Sequence, residues 1–135
     1  MVTGGCLCGK VRFETQSPLR EVVYCHCNQC RRQTGLYYAA TAIPRNDLVV
    51  VGGHNITWFA ASEFAKRGFC STCGSALFWD GKDLPYLSVL AGAIDDPSQL
   101  VAECHIFTEH RPGFYSISDG LPEYPRSAPG LAVDE

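Results

Sequence analysis

Three cysteines fall within six residues of Tyr24-Cys25-His26-Cys27-Asn28-Gln29-Cys30-Arg31-Arg32-Gln33-Thr34-Gly35, too crowded to pair off among themselves as disulfides. The C-x-C-x-x-C spacing instead aims three thiolates at one tetrahedral Zn²⁺ ion, with sulfur–metal distances of about 2.3 Å. The fourth corner then belongs either to a distant residue or to a substrate, and only the second case makes the site catalytic. Thiolates donate strongly, so a metal held by Cys25, Cys27 and Cys30 activates water weakly. It suits an exogenous thiol better, which it keeps deprotonated near neutral pH. The trio therefore points to sulfur substrates. Arg31 and Arg32 follow the third thiolate directly; they are candidates to pair with substrate carboxylates, or else solvated surface charge.

Which residue takes the fourth corner depends on the other cysteines. Seven of the eight fall into three clusters, and the two remaining clusters, Cys6-Leu7-Cys8-Gly9 and Cys70-Ser71-Thr72-Cys73-Gly74, read as halves of a four-thiolate zinc site. Each half is a tight turn ending in glycine, where a positive φ lets backbone amides approach the sulfurs. Four thiolates close the coordination sphere, so Cys6, Cys8, Cys70 and Cys73 define a structural ion that joins the N-terminal segment to the middle of the chain. That leaves Cys104 or a histidine to complete the trio. Cys104 lies in the strand-like Ala102-Glu103-Cys104-His105-Ile106-Phe107 and reads as a small buried hydrophobe or as the missing ligand. His105 alternates with it, so only one of the two faces a given site. His26 points away from a metal shared by its neighbours if the segment is extended, and reads as support behind the ligands or as a surface residue. His54 and His110 sit in turn regions with nothing to mark them.

The composition is that of one globular domain spanning residues 1–135, with 46% hydrophobic and 19% charged residues. A net charge of −3 offers no basic excess for nucleic acid. No apolar run is long enough to cross a bilayer, and Met1-Val2-Thr3-Gly4-Gly5 shows neither a basic nor an apolar leader region, so a cytoplasmic location is expected. Eight cysteines, seven of them in clusters, then indicate metal in a reducing compartment rather than a disulfide framework.

The elements that must position these residues are strands. Lys10–Thr15 alternates polar and apolar residues, and Leu19–Tyr24 runs as a strand into the triple-cysteine loop. A short helical turn over Gln29–Thr34 ends at Gly35, in the place a C′ glycine takes. Leu36–Ile43 is a strand stopped by Pro44. Leu48–Val51 and Ile56–Ala60 flank Gly52-Gly53-His54-Asn55 as a hairpin. Arg67–Phe69 leads into the Cys70 turn and Ala76–Trp79 leads out, while Tyr86–Leu90 and Glu103–Phe107 complete the set. Asp95-Asp96-Pro97-Ser98 is a turn. From about residue 111 prolines punctuate an irregular tail. The fold class is all-β, with helical turns only.

The order C-x-C-G, C-H-C-x-x-C-R-R-x-x-G, F-C-x-x-C-G-S resembles the glutathione-dependent formaldehyde-activating enzyme family, whose domain also occurs in centromere protein V. The resemblance runs from Gly5 to about Tyr115, including Arg67-Gly68-Phe69-Cys70, Ala91–Pro97 and His105-Ile106-Phe107. It implies a β-tent zinc fold of several antiparallel sheets and two zinc ions. One would be structural on Cys6, Cys8, Cys70 and Cys73; the other, open or partly occupied, on Cys25, Cys27 and Cys30. It also implies a carbon–sulfur lyase activity that joins formaldehyde and glutathione into S-hydroxymethylglutathione. Family membership fixes the scaffold better than the substrate, so a non-catalytic glutathione carrier or a zinc-stabilised interaction module is the alternative. Where the family often carries tryptophan after an R-P-x pattern, Arg111-Pro112-Gly113 is followed here by Phe114, which keeps an aromatic wall and loses the indole donor.

Overall fold

The computed structural model describes residues 1–131 and contains ten strands in two sheets with one short α-helix. The smaller sheet orders β1 (Val2–Gly5), β2 (Arg12–Thr15) and β5 (Leu48–Val51) side by side, all antiparallel. The larger contains β3 (Val22–Cys25), β4 (Tyr38–Pro44), β6 (Ile56–Phe59), β7 (Ala65–Cys70), β8 (Ala76–Gly81), β9 (Tyr86–Leu90) and β10 (Ala102–Ile106). Its order is β10-β3-β4-β9-β8-β7-β6, antiparallel except for the β10–β3 pair.

The all-β reading holds, and most strand assignments fall within two or three residues of the observed bounds. The hairpin expected around Gly52–Asn55 does not form. β5 pairs with β2 and β6 with β7, in different sheets. The same glycines serve a different end: Gly52, at φ 80°, starts a single 3₁₀ turn over Gly53–Asn55 through which the chain passes from one sheet to the other. A Cβ at Gly52 would also lie 1.9 Å from the Lys10 carbonyl, so the crossing needs glycine for space as well as for φ. Strand β1 was not expected, because its two glycines disfavour a strand. Here they admit neighbours: a Cβ on Gly4 would lie 2.4 Å from both the Ala93 carbonyl and the Phe13 ring.

Two apolar clusters fill the interior, and each encloses one group of cysteines. One packs Val11, Phe13, Ile43, Leu77, Phe78, Val89 and Ile94 around Cys6 and Cys70. The other packs Val23, Tyr38, Ala40, Trp79, Ile106 and Phe107 around Cys25, Cys27, Cys30 and Cys104. The irregular tail lies alongside β10, where Glu123 bridges to His105 and the Phe107 amide donates to the Arg126 carbonyl.

Candidate metal centres and the groove beside them

Cys6 and Cys8 arrive on the turn between β1 and β2, Cys70 and Cys73 on the turn between β7 and β8, and all four Sγ atoms lie within 4.8 Å of one another. The Cys6–Cys8 and Cys8–Cys70 sulfur separations are 3.6 and 3.7 Å. A tetrahedron with metal–sulfur bonds of about 2.3 Å has edges of about 3.8 Å, so the spacing fits a thiolate-held ion. The turns are built for this. Gly9 and Gly74 take φ of 81° and 78°, their amides close the turns onto the Cys6 and Cys70 carbonyls, and the Val11 amide donates to Cys6 Sγ at 3.3 Å. An ion here ties the small sheet to the large one.

The second group consists of Cys25, Cys27 and Cys30, all buried and with their sulfurs mutually within 4.8 Å. Cys25 ends β3. Cys27 caps the helix α1 (Asn28–Thr34), its Sγ accepting the Cys30 amide at 3.3 Å, and Cys30 lies on the first turn of that helix. Gly35 terminates α1 with φ 87°. The chain thus turns from strand to helix around a point that three sulfurs face. Cys104 is buried in the same apolar cluster but does not belong to the group of close sulfurs. Within the trio, hydrogen bonds from Cys25 and Cys27, and then the charge of Arg67, push Cys30 down to about 4, whereas sharing those bonds pushes Cys25 far up.

Arg67 is the residue that spacing alone did not assign. Only 3% exposed, it comes from β7 and places its two terminal nitrogens 3.5 and 3.6 Å from Cys30 Sγ. Two glutamines of α1 hold it, Gln33 at 3.0 Å and Gln29 at 3.4 Å, and its guanidinium lies over the Tyr38 ring. β7 is four strands away from β3 in the sheet, so the contact joins residues far apart in both the chain and the strand order. The one available signal was an arginine sharing a strand face with Phe69, three residues before a cysteine.

His26, only 1% exposed, belongs to a buried chain of hydrogen bonds and not to the surface. Its Nδ1 lies 2.7 Å from the Tyr115 hydroxyl and its Nε2 2.8 Å from His105 Nδ1, while His105 Nε2 lies 2.8 Å from Asp119 Oδ2. One proton on each Nε2 satisfies every link, with Tyr115 donating at one end and Asp119 accepting at the other. Burial first, and the neighbouring His105 second, hold His26 down at about 4, so its ring is a neutral imidazole at neutral pH. This chain locks the residue between two of the three sulfurs. His26 faces away from the trio, as the extended segment requires. Phe114, exposed, stacks edge-on against Tyr115.

An open groove of about 540 Å³ runs along α1 beside the trio, walled by Gln29, Arg32, Gln33, Trp58, Phe59 and Arg67 among others. Gly68 makes room for one wall, because a Cβ there would meet the Trp58 ring at 2.8 Å. Arg32 is on this wall; Arg31, half-buried one position earlier, is not.

Comparison with known proteins fits this picture. The family model described as glutathione-dependent formaldehyde-activating enzyme matches residues 1–110. A Halomonas elongata protein called a putative glutathione-dependent formaldehyde-activating enzyme is 30% identical over 130 residues, covering 87% of this chain and 81% of its own. An uncharacterised lyase of Schizosaccharomyces pombe is 24% identical over 119 residues, covering 86% and 85%. The crystal structure of a Rhodobacter sphaeroides protein superposes with a TM-score of 0.59 at 22% identity, covering 90% of this chain and 98% of that one. The chain belongs to the glutathione-dependent formaldehyde-activating enzyme family. No helix among the described residues is long and apolar enough to cross a membrane.

Proposed function

We propose that this protein is a zinc-dependent carbon–sulfur lyase that interconverts a small thiol plus formaldehyde with their hemithioacetal, glutathione being the thiol and S-hydroxymethylglutathione the product. The observation that carries this reading is the inequality of the two cysteine groups: four sulfurs close one site, whereas three buried sulfurs face a point to which Cys104 does not contribute. Cys6, Cys8, Cys70 and Cys73 would hold a structural zinc. Cys25, Cys27 and Cys30 would hold the second, which when bound supplies a positive charge that keeps an incoming thiol deprotonated.

The remaining work falls to the chain. Arg67 balances the charge of the sulfur trio, and the groove along α1 takes the body of the thiol compound, with Arg32 on its wall to meet a carboxylate. Arg31, half-buried on the same helix, is the second candidate for carboxylate pairing. In the forward reaction the thiolate sulfur attacks the carbonyl carbon, the C=O pair moves onto oxygen, and water supplies the proton that completes the hydroxyl. Lyase action is the reverse.

Two-dimensional exchange NMR on formaldehyde–glutathione mixtures tests this. Interconversion should be faster with protein than without, and Cys27→Ser should remove the acceleration. Glutathione binding with no acceleration would mean a carrier and not a lyase.

A further inference from the structure

The groove along α1 lies between two unlike walls. Gln29, Arg32 and Gln33 are spaced i, i+3 and i+4, so they line it from one face of the helix. The opposite wall is sheet. On β7, Arg67 and Phe69 are two residues apart and share a face. Their partners across the β6–β7 ladder are Phe59 and Thr57, so these four side chains stand on the same side of the sheet. All four line the groove. Phe59, 62% exposed, is a large apolar ring left open to solvent there. Its cross-strand neighbour Arg67 is the buried part of that wall, in contact with Cys30 Sγ.

Charge narrows what can fill this space. The chain carries a net charge of −3, yet the described residues that line the groove include two arginines and no aspartate or glutamate. The two cations are not equivalent. Arg67 is committed to Cys30, Gln33 and Gln29. Arg32 is exposed and takes part in none of the ion pairs among the described residues. The volume of about 540 Å³ is in the ordinary range for small-ligand sites.

Going beyond glutathione, and resting on the lyase reading only for the chemistry at sulfur, we infer that the groove selects thiols carrying both an apolar arm and a carboxylate: arylalkyl mercapto acids. The ring would lie against Phe59 and Phe69, the carboxylate would meet Arg32, and the sulfur end would point toward Arg67 and the trio. The γ-glutamyl arm of glutathione carries an ammonium group, for which this lining supplies no acidic partner. An aryl arm needs none, and it removes the Phe59 ring from water.

Thiol-free acids test the recognition without turnover. In NMR titrations of the full chain, 3-phenylpropanoate should bind about tenfold more tightly than propanoate, the scale for burying one ring against another. It should bind about threefold more tightly than 3-phenylpropanamide, the scale for an exposed ion pair. Phe59→Ala should abolish the preference for the ring, Phe59→Leu should keep part of it, and Arg32→Gln should abolish the preference for the carboxylate over the amide. Both side chains are exposed, so the thermal midpoints of these variants should stay at the wild-type value. Equal affinities for 3-phenylpropanoate and propanoate, or a ring preference that survives Phe59→Ala, would overturn the assignment. In exchange NMR with formaldehyde, 2-mercapto-3-phenylpropanoate should be accelerated more than glutathione at the same subsaturating concentration. An acceleration confined to glutathione would also overturn it. If wild type accelerates neither thiol, the lyase reading fails by itself, and the acid series still decides what the groove binds.

Discussion

Arg67, on β7, presents two guanidinium nitrogens to Cys30 Sγ, on α1, at 3.5 and 3.6 Å, in surroundings that leave the arginine 3% exposed. A buried cation in contact with a metal-ligand candidate has a definite electrostatic consequence. Three thiolates and one divalent ion sum to −1, and Arg67 brings that buried charge to zero. Removing the cation leaves a buried anion uncompensated. Arg67→Met should therefore weaken metal binding at the trio by about 10- to 100-fold, the range for losing a partner of a ligating side chain. Arg67→Lys should recover part of the loss. Chelator competition followed by metal analysis gives both values; equal affinities for wild type and Arg67→Met would show that the contact is incidental.

The two cysteine groups should differ in what they do for the fold. Cys70 is fully buried where the small sheet meets the large one, and an ion there contributes folding free energy, about 10 kcal/mol or more for a structural zinc. Cys70→Ser should give no soluble folded protein, whereas Cys25→Ser should remain folded with one metal fewer. Circular dichroism and metal content of the two variants check this, and a stable monodisperse Cys70→Ser would contradict the closed-site assignment.

Cys104 gives a third test. It sits in the cluster around the trio yet is not one of the close sulfurs. Cys104→Ala should keep both metals and cost about 1 kcal/mol as an ordinary core truncation. Loss of one equivalent of metal would make Cys104 the fourth ligand and close the site.

His26 predicts a pH dependence. Its folded value of about 4 is below the ordinary 6.5, mainly because of burial. As pH falls below about 6.5, the unfolded chain takes up a proton that the folded chain refuses. The stability present above that pH is therefore lost progressively toward pH 4. Long-range ¹⁵N NMR should find the His26 ring neutral at pH 5.5 with its proton on Nε2. A ring already half-protonated at pH 6.5 would break the Tyr115–His26–His105–Asp119 chain as described.

Much of this site could be read from spacing, because thiolates that share an ion must be close in space and each of the three clusters is compact in sequence. The division into Cys6, Cys8, Cys70 and Cys73 against Cys25, Cys27 and Cys30 matches the grouping of sulfurs in the structure. What was not legible depends on residues far apart in the chain. His26 and His105 are separated by 79 positions, and nothing local in either marks a partner. Arg67 and Cys30 are 37 positions apart and meet only in the folded chain. The Gly52–Asn55 turn misleads for a related reason: its residues suit a hairpin and a sheet-to-sheet crossing equally, and only the partners of β5 and β6 decide between them.

The central claim is that the trio keeps a coordination position for a thiol, and cobalt substitution reads this directly. Adding glutathione to the two-cobalt protein should increase the thiolate-to-cobalt charge-transfer absorption by the equivalent of one new sulfur ligand, with the increment absent in Cys27→Ser. A spectrum that glutathione leaves unchanged would contradict an open three-thiolate site.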